Sequence, residues 1–126
     1  MAMQSCFCGA QASFSNCCGL LINGIKNATT AESLMRSRYS AYVIHAADYL
    51  VATTHSSQRE NHSKEEILHW ATTNQWLRLE IIEVAENTVE FKAYYQNAKN
   101  QMQVHHEHSR FVLENQKWFY VDGDYF

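Results

Sequence analysis

The chain has 126 residues, 46% of them hydrophobic and 18% charged, with a net charge of −3. That length holds one compact core and a small appendage, and the composition excludes an intrinsically disordered chain. The mild acidic balance speaks against a general polyanion binder, which carries a basic patch, so nucleic acid is not an expected partner.

The start, Met1 to Ser5, carries no positive charge, and no long apolar run follows it, so no export leader is expected. No apolar run approaches the roughly 20 residues a membrane helix needs. All four cysteines then sit between Cys6 and Cys18, as Cys6-Phe7-Cys8 and Cys17-Cys18 with eight residues between the pairs. Four thiolates this close can surround one Zn²⁺ tetrahedrally, and a closed set of four leaves no open position for catalysis. Disulfides are the weaker reading, because adjacent Cys17 and Cys18 pair poorly with the nearby Cys6 and Cys8 and no secretory context supports them. A structural zinc knuckle over residues 1–26 and a cytoplasmic protein are the consistent expectations.

Leu20 to Ile25 is a short apolar patch broken by Asn23-Gly24, suited to packing the knuckle onto a main domain over residues 27–126. Thr29 to Glu32 has capping-box spacing, and Leu34, Met35, Tyr39, Tyr42, Val43 and Ala46 then recur at helical spacing, which predicts a helix to about His45. A second helical piece runs from Ala46 to about Thr54, and the polar stretch His55 to His62 reads as a loop. Ser63 to Glu66 forms a second capping box, opening a helix through Ile67, Leu68, Trp70 and Ala71. Strand-type residues fill 76–84, 88–96, 101–113 and 117–122, with hairpin-length gaps between them. Helices followed by a four-strand meander make an α+β fold, helices packed on a curved antiparallel sheet. In the third strand both faces mix charged and apolar side chains, Glu107 and Ser109 beside Phe111 on one, His106, His108 and Arg110 beside Val112 on the other. That mixture predicts a concave face enclosing both a core and a partly polar pocket.

Arg36 and Arg38 lie on a helix that otherwise feeds the core. A guanidinium there needs a carboxylate, with Glu107 and Asp122 as the candidates, or else an anionic ligand. His106 and His108 share a strand face as a minimal metal pair, yet no third donor is fixed beside them, and surface histidines are the simpler account.

The Cys6-to-Gly19 stretch resembles the SEC-C motif, the zinc-binding tail of the SecA preprotein translocase. The segments Leu34 to Tyr42, His106 to Phe111 and Trp118 to Gly123 resemble the bacterial YchJ family. Together these resemblances cover most of the chain and imply a cone-shaped domain of the nuclear transport factor 2-like, or cystatin-like, type behind a zinc knuckle. They imply no established activity. Two departures stand out: Gly9-Ala10-Gln11-Ala12 replaces the Gly-Ser-Gly-Lys usual in SEC-C motifs, removing its basic residue, and the second cysteine cluster of many relatives is missing before Phe126.

Fold analogy implies a pocket in which Asp48, His55, Glu107 and Asp122 are the available acid–base groups and Tyr39, Tyr42 and Trp118 its walls. Arg36, Ser109 and Arg110 complete the candidate pocket. The expectation is a zinc-dependent protein-interaction module, docking a partner through the knuckle with Phe7, Phe14 and Leu20, whose main domain is a scaffold or small-ligand pocket. The alternative is a small pocket enzyme of isomerase or hydrolase type. The fold leaves room for a homodimer through the exposed sheet face.

Overall fold

A computed structural model describes residues 5–126; residues 1–4, in the segment read above as lacking a leader's charge, lie outside the described residues. The knuckle closes first. The Cys6 amide donates to Ala12 O at 2.8 Å and Gly9 N to Cys6 O at 3.1 Å, after which Phe14–Asn16 forms a 3₁₀ turn. Helix α1 (Cys18–Ile22) follows directly.

Helix α2 (Ala31–Val43) starts one residue later than the Thr29 spacing suggests: Thr30 is the cap, its hydroxyl accepting from Ser33 N at 3.0 Å. It stops short of His45, which sits at φ 64°, a left-handed conformation that breaks the helix before α3 (Ala47–Ala52). The predicted loop from 55 to 62 holds a 3₁₀ turn, Ser56–Asn61, entered through the His55 ring, which accepts from Ser57 N at 3.2 Å. Helix α4 (Lys64–Thr73) begins at Ser63, whose hydroxyl accepts from Glu66 N at 3.1 Å, as the spacing predicts.

Four strands follow as an antiparallel meander in the order β1 (Gln75–Val84), β2 (Thr88–Gln96), β3 (Met102–Glu114), β4 (Lys117–Tyr125). With no proline in the chain, turns use asparagine and glutamine at positive φ, as at Asn115 (52°) and Gln116 (67°) between β3 and β4. Register shifts in β1, between Trp76 and Arg78 and between Ile81 and Glu83, and one between β3 and β4 bend the sheet.

Leu34, Met35 and Tyr39 of α2 pack on Val89, Phe91 and Ala93 of β2, Phe111 of β3 and Tyr120 of β4. The strict alternation on β2 is the reason: Val89, Phe91 and Ala93 all face inward. Each such aliphatic or aromatic side chain contributes about 1.5–3 kcal/mol on burial. A smaller cluster, Ala41, Ala47, Leu50 and Ile67, joins α2, α3 and α4. The end of α3 is stitched to β4 by Tyr120 N to Thr53 O and His55 N to Tyr120 O, both 2.8 Å. On β3 the buried face is Glu107, Ser109 and Phe111, whereas Met102 and Val104 are exposed on the other. The mixed polarity of that strand therefore comes from a cavity beside the core.

Candidate functional site

The four cysteine sulfurs lie within 4.8 Å of one another, and none is in a disulfide. Cys6, Cys8 and Cys18 are buried and Cys17 half-buried. Cys8 Sγ and Cys17 Sγ are 3.7 Å apart. Zn–S bonds of about 2.3 Å set tetrahedral S···S edges of about 3.8 Å, so the donor set fits one tetrahedral metal ion. Two glycines permit this geometry. Gly9 sits at φ 92°, and a Cβ on Gly19 would lie 2.7 Å from Phe14 O. The crowded thiols share protons: the Cys18 thiol donates to Cys8, which brings Cys8 down to about 5 and pushes Cys18 up. Burial and the Cys8 charge together raise Cys17 to about 11.

Helix α2 holds the knuckle to the main domain. Arg36 Nη1 donates to Cys8 O at 2.7 Å and Arg36 Nε to Glu32 at 2.9 Å; Ser40 Oγ lies 3.6 Å from Cys6 Sγ. Ile22 and Leu79 of β1 cover the cluster. Arg36 is thus a knuckle residue, not a pocket residue, and pairs with neither Glu107 nor Asp122.

A cavity of about 290 Å³ lies between α2, α4 and the concave sheet face. Its floor is the Glu107 carboxylate. Ser109 Oγ and Tyr120 OH donate to Oε2 at 2.6 and 2.7 Å, and His105 Nε2 lies 2.8 Å from Oε1. Burial raises the Glu107 pKa, but the hydrogen bonds from His105, Ser109 and Tyr120 outweigh it and leave the carboxyl below its ordinary value. Burial and the neighbouring Glu107 charge drive Tyr120 strongly upward, so it stays a phenol. Glycine at 123 makes room for this group, because a Cβ there would lie 2.8 Å from Glu107 Cδ and Cγ. Arg38 reaches from α2 to the end of α3, its Nη1 donating to Leu50 O at 2.9 Å and Thr53 Oγ1 at 2.6 Å, with its guanidinium 4.6 Å from the Tyr120 ring centroid. Trp70 and Trp76 meet edge to face, centroids 5.7 Å apart, and Tyr42 packs on Trp76 at 5.5 Å.

Of the predicted pocket residues, Tyr39, Tyr42, Glu107 and Ser109 meet in the cavity. The others do not. Between Arg110 and Phe111 of β3, β4 carries an extra residue, Val121, which inverts its alternation: Tyr120 faces in, while Asp122 faces out and pairs with Arg110. Arg110 bonds Asp124 as well, at 2.9 Å on that outer face. His55 bonds Glu114 at 2.8 Å at the surface, and Asp48 pairs with Lys64. Trp118 packs at the far side of the core and lines a shallow groove with Asn27 and Leu113. His106 bonds Glu90 at 2.7 Å rather than His108, and the four cysteines are the metal-capable cluster found among the described residues. Arg38 was expected to pair with Glu107 or Asp122; it pairs with neither, because the Tyr120 ring stands under its guanidinium and Glu107 is held at the ring's hydroxyl end. His62, His105, Trp70, Trp76 and Tyr120 line the cavity without having been singled out as pocket residues. Tyr120 was legible as the inward neighbour of Trp118 on one strand face, but Trp70 on α4 had no sequence signal beyond helical spacing, and His62, in the connection between the 3₁₀ turn and α4, had none.

The profile described as the YchJ middle nuclear transport factor 2-like domain matches residues 30–123. A UPF0225 protein of Photorhabdus laumondii is 44% identical over 127 aligned residues, spanning 95% of this chain and 80% of that protein. The chain belongs to the YchJ (UPF0225) family. Another UPF0225 protein, from Vibrio parahaemolyticus, is 39% identical across 97% of this chain and 75% of its own length. The fold of this YchJ-family chain matches the solution structure of a SEC-C motif containing protein from Rhodopseudomonas palustris, with TM-score 0.88, 31% identity, and 96% and 98% of the two chains covered. It also matches the crystal structure of a SEC-C motif containing protein from Psychrobacter arcticus, with TM-score 0.82, 31% identity, and 96% and 82% covered. The knuckle, the helices and the curved antiparallel sheet are therefore those of a SEC-C motif protein with a nuclear transport factor 2-like domain. Among the described residues no helix is long and apolar enough to cross a membrane.

Proposed function

We propose that this YchJ-family chain is a small-ligand-binding domain built onto a structural zinc knuckle. The observation that carries the reading is the cavity between the helices and the sheet, walled by aromatic rings and floored by an ionised carboxylate with three fixed donors. Pockets of this kind, mostly apolar with a few placed polar groups, are what ligand sites require. The enzyme alternative is weaker on chemical grounds. A general base works best with a pKa near the operating pH, and the donors around Glu107 move it the other way.

Zinc is the metal that four thiolates in a closed set favour, with iron–sulfur chemistry the other sulfur-rich option. Free thiols rather than disulfides support a cytoplasmic address. A second role, docking a protein partner on the knuckle, has one observation behind it: Phe7 is 44% exposed, its ring tilted against Phe14 with centroids 5.5 Å apart.

The cavity reading is tested by ligand-induced quenching of Trp70 and Trp76 fluorescence across a library of small aromatic molecules. Ala93 is buried and lines the cavity, so Ala93→Leu fills it from the sheet side. Ligands found with the wild type should lose affinity for that variant; equal binding would place the site elsewhere. For the metal, about one zinc per chain is expected in protein purified without added metal, and far less would overturn the tetrahedral site.

A further inference from the structure

Arg38 is the one fully inward guanidinium in the cavity wall, 8% exposed, and its bonding is lopsided. Nη1 makes every hydrogen bond the side chain has among the described residues, to Leu50 O, Thr53 Oγ1 and Thr54 Oγ1. No fully enclosed side-chain nitrogen lacks a partner among the described residues, so the unused Nε and Nη2 are not sealed off, and the cavity is a space that Arg38 lines. No carboxylate forms a salt bridge with it there. Glu107 is already capped by three donors and sits at the hydroxyl end of Tyr120, whose ring carries the guanidinium on its face.

A buried guanidinium without a counter-ion is unfavourable, and a helix C-terminus offsets only about half a charge. The bland account, that Arg38 simply caps α3, explains Nη1 and leaves the other edge unexplained. That edge is a planar two-donor fork, the geometry that matches a carboxylate. The walls fix the rest of the molecule. A cavity of about 290 Å³ is roughly twice the ~150 Å³ known to hold one benzene, room for a ring system and a short side arm. Trp70, Trp76, Tyr42, Phe91 and Phe111 offer faces and edges to a flat ring. Glu107 and, at the rim, Glu66 oppose a doubly charged head such as phosphate.

We infer that the cavity binds small aromatic monocarboxylates, the carboxylate seated on the Nε–Nη2 edge of Arg38 and the ring between Trp76 and the sheet. The inference rests on the ligand-cavity reading above and names its substrate class.

Three probes that share an indole ring and differ in head group test it by calorimetry on the full chain: indole-3-acetate, indole-3-acetamide and tryptamine. The carboxylate should bind roughly tenfold or more tighter than the amide, because charge-assisted bonds are about twice as strong as neutral ones, and the amine should bind weakest. Tighter binding of the amine, or no preference between acid and amide, overturns the carboxylate assignment while leaving the cavity a ligand site. No binding by any of the three overturns both. Arg38→Lys keeps the charge but lacks the fork, so the acid-over-amide preference should collapse toward unity. Retention of the wild-type preference would overturn the fork, and if this variant does not fold the head-group series alone decides.

Discussion

Replacing Glu107 with glutamine keeps the shape of the cavity floor and removes only its charge. The lowest-energy amide orientation turns its nitrogen toward His105, which accepts in its other tautomer, and keeps the carbonyl oxygen under Ser109 and Tyr120. Three charge-assisted bonds then become neutral ones, each losing about 1 kcal/mol, and relief of the carboxylate's burial cost offsets about 1 kcal/mol of that, for a net loss near 2 kcal/mol. In a chain of this length that is about 8 °C in Tm. The gap is also pH-dependent, and its direction follows from the depressed Glu107 pKa. The unfolded chain binds the proton first as the solution is acidified, so the carboxylate's contribution is complete above the ordinary glutamate value of 4.5 and is lost as pH falls through the lower folded value. Thermal melts of both proteins at pH 7, 5 and 3 are the assay, since other titrating groups largely cancel in the difference. Wild type should lead by about 8 °C at pH 7 and 5 and lose much of that lead at pH 3. A variant as stable as wild type at pH 7, or a gap independent of pH, would show that the carboxylate does not hold this network.

Three further outcomes are expected. Gly123→Ala forces a Cβ to 2.8 Å from a carboxylate that three hydrogen bonds hold in place, and should destabilise by about 2 kcal/mol. Combined with Glu107→Ala its effect should shrink, so strict additivity in urea titrations would dismiss the clash. Arg36→Ala removes the bond to Cys8 O, and should lower Tm by a few degrees and speed metal loss to a chelator while leaving cavity binding unchanged; lost binding with retained stability would make it a pocket residue after all. Chelating the metal should expose residues 5–26 to protease within the time that the sheet's circular dichroism persists, and simultaneous loss of both would show one cooperative unit.

The elements with strong local physics were readable from the chain. Ser63 and Glu66 start α4 because a hydroxyl three residues ahead of an amide is a complete cap, and Val89, Phe91 and Ala93 face inward because period two leaves no other arrangement. The cysteine cluster was readable for the same reason, since four thiols in thirteen positions have few ways to be apart. Two of the failures, at Asp122 and at Arg36, depended on a single inserted residue and on helix rotation. Val121 reverses the facing of β4, turning Asp122 outward to Arg110, and nothing in the run Trp118 to Asp122 marks it as a bulge. Arg36 and Arg38 are two positions apart, about 200° on a helix, so one had to leave the pocket; the pairing pattern alone did not say which.

That rotation ties the two sites together. Arg36 and Ser40 point from α2 to the cysteine knuckle, whereas Arg38, Tyr39 and Tyr42 point from the same helix into the cavity. Metal binding is expected to supply folding free energy to a knuckle with little core of its own, and Arg36 and Ser40 are the contacts through which a change there would meet α2. A loosened knuckle is therefore expected to act on the cavity through helix position rather than through any shared ligand. On this account the metal-free chain binds cavity ligands more weakly at unchanged ligand chemistry, keeping the same order among head groups. A changed order on metal removal would instead mean that the cysteines themselves contribute to the ligand site.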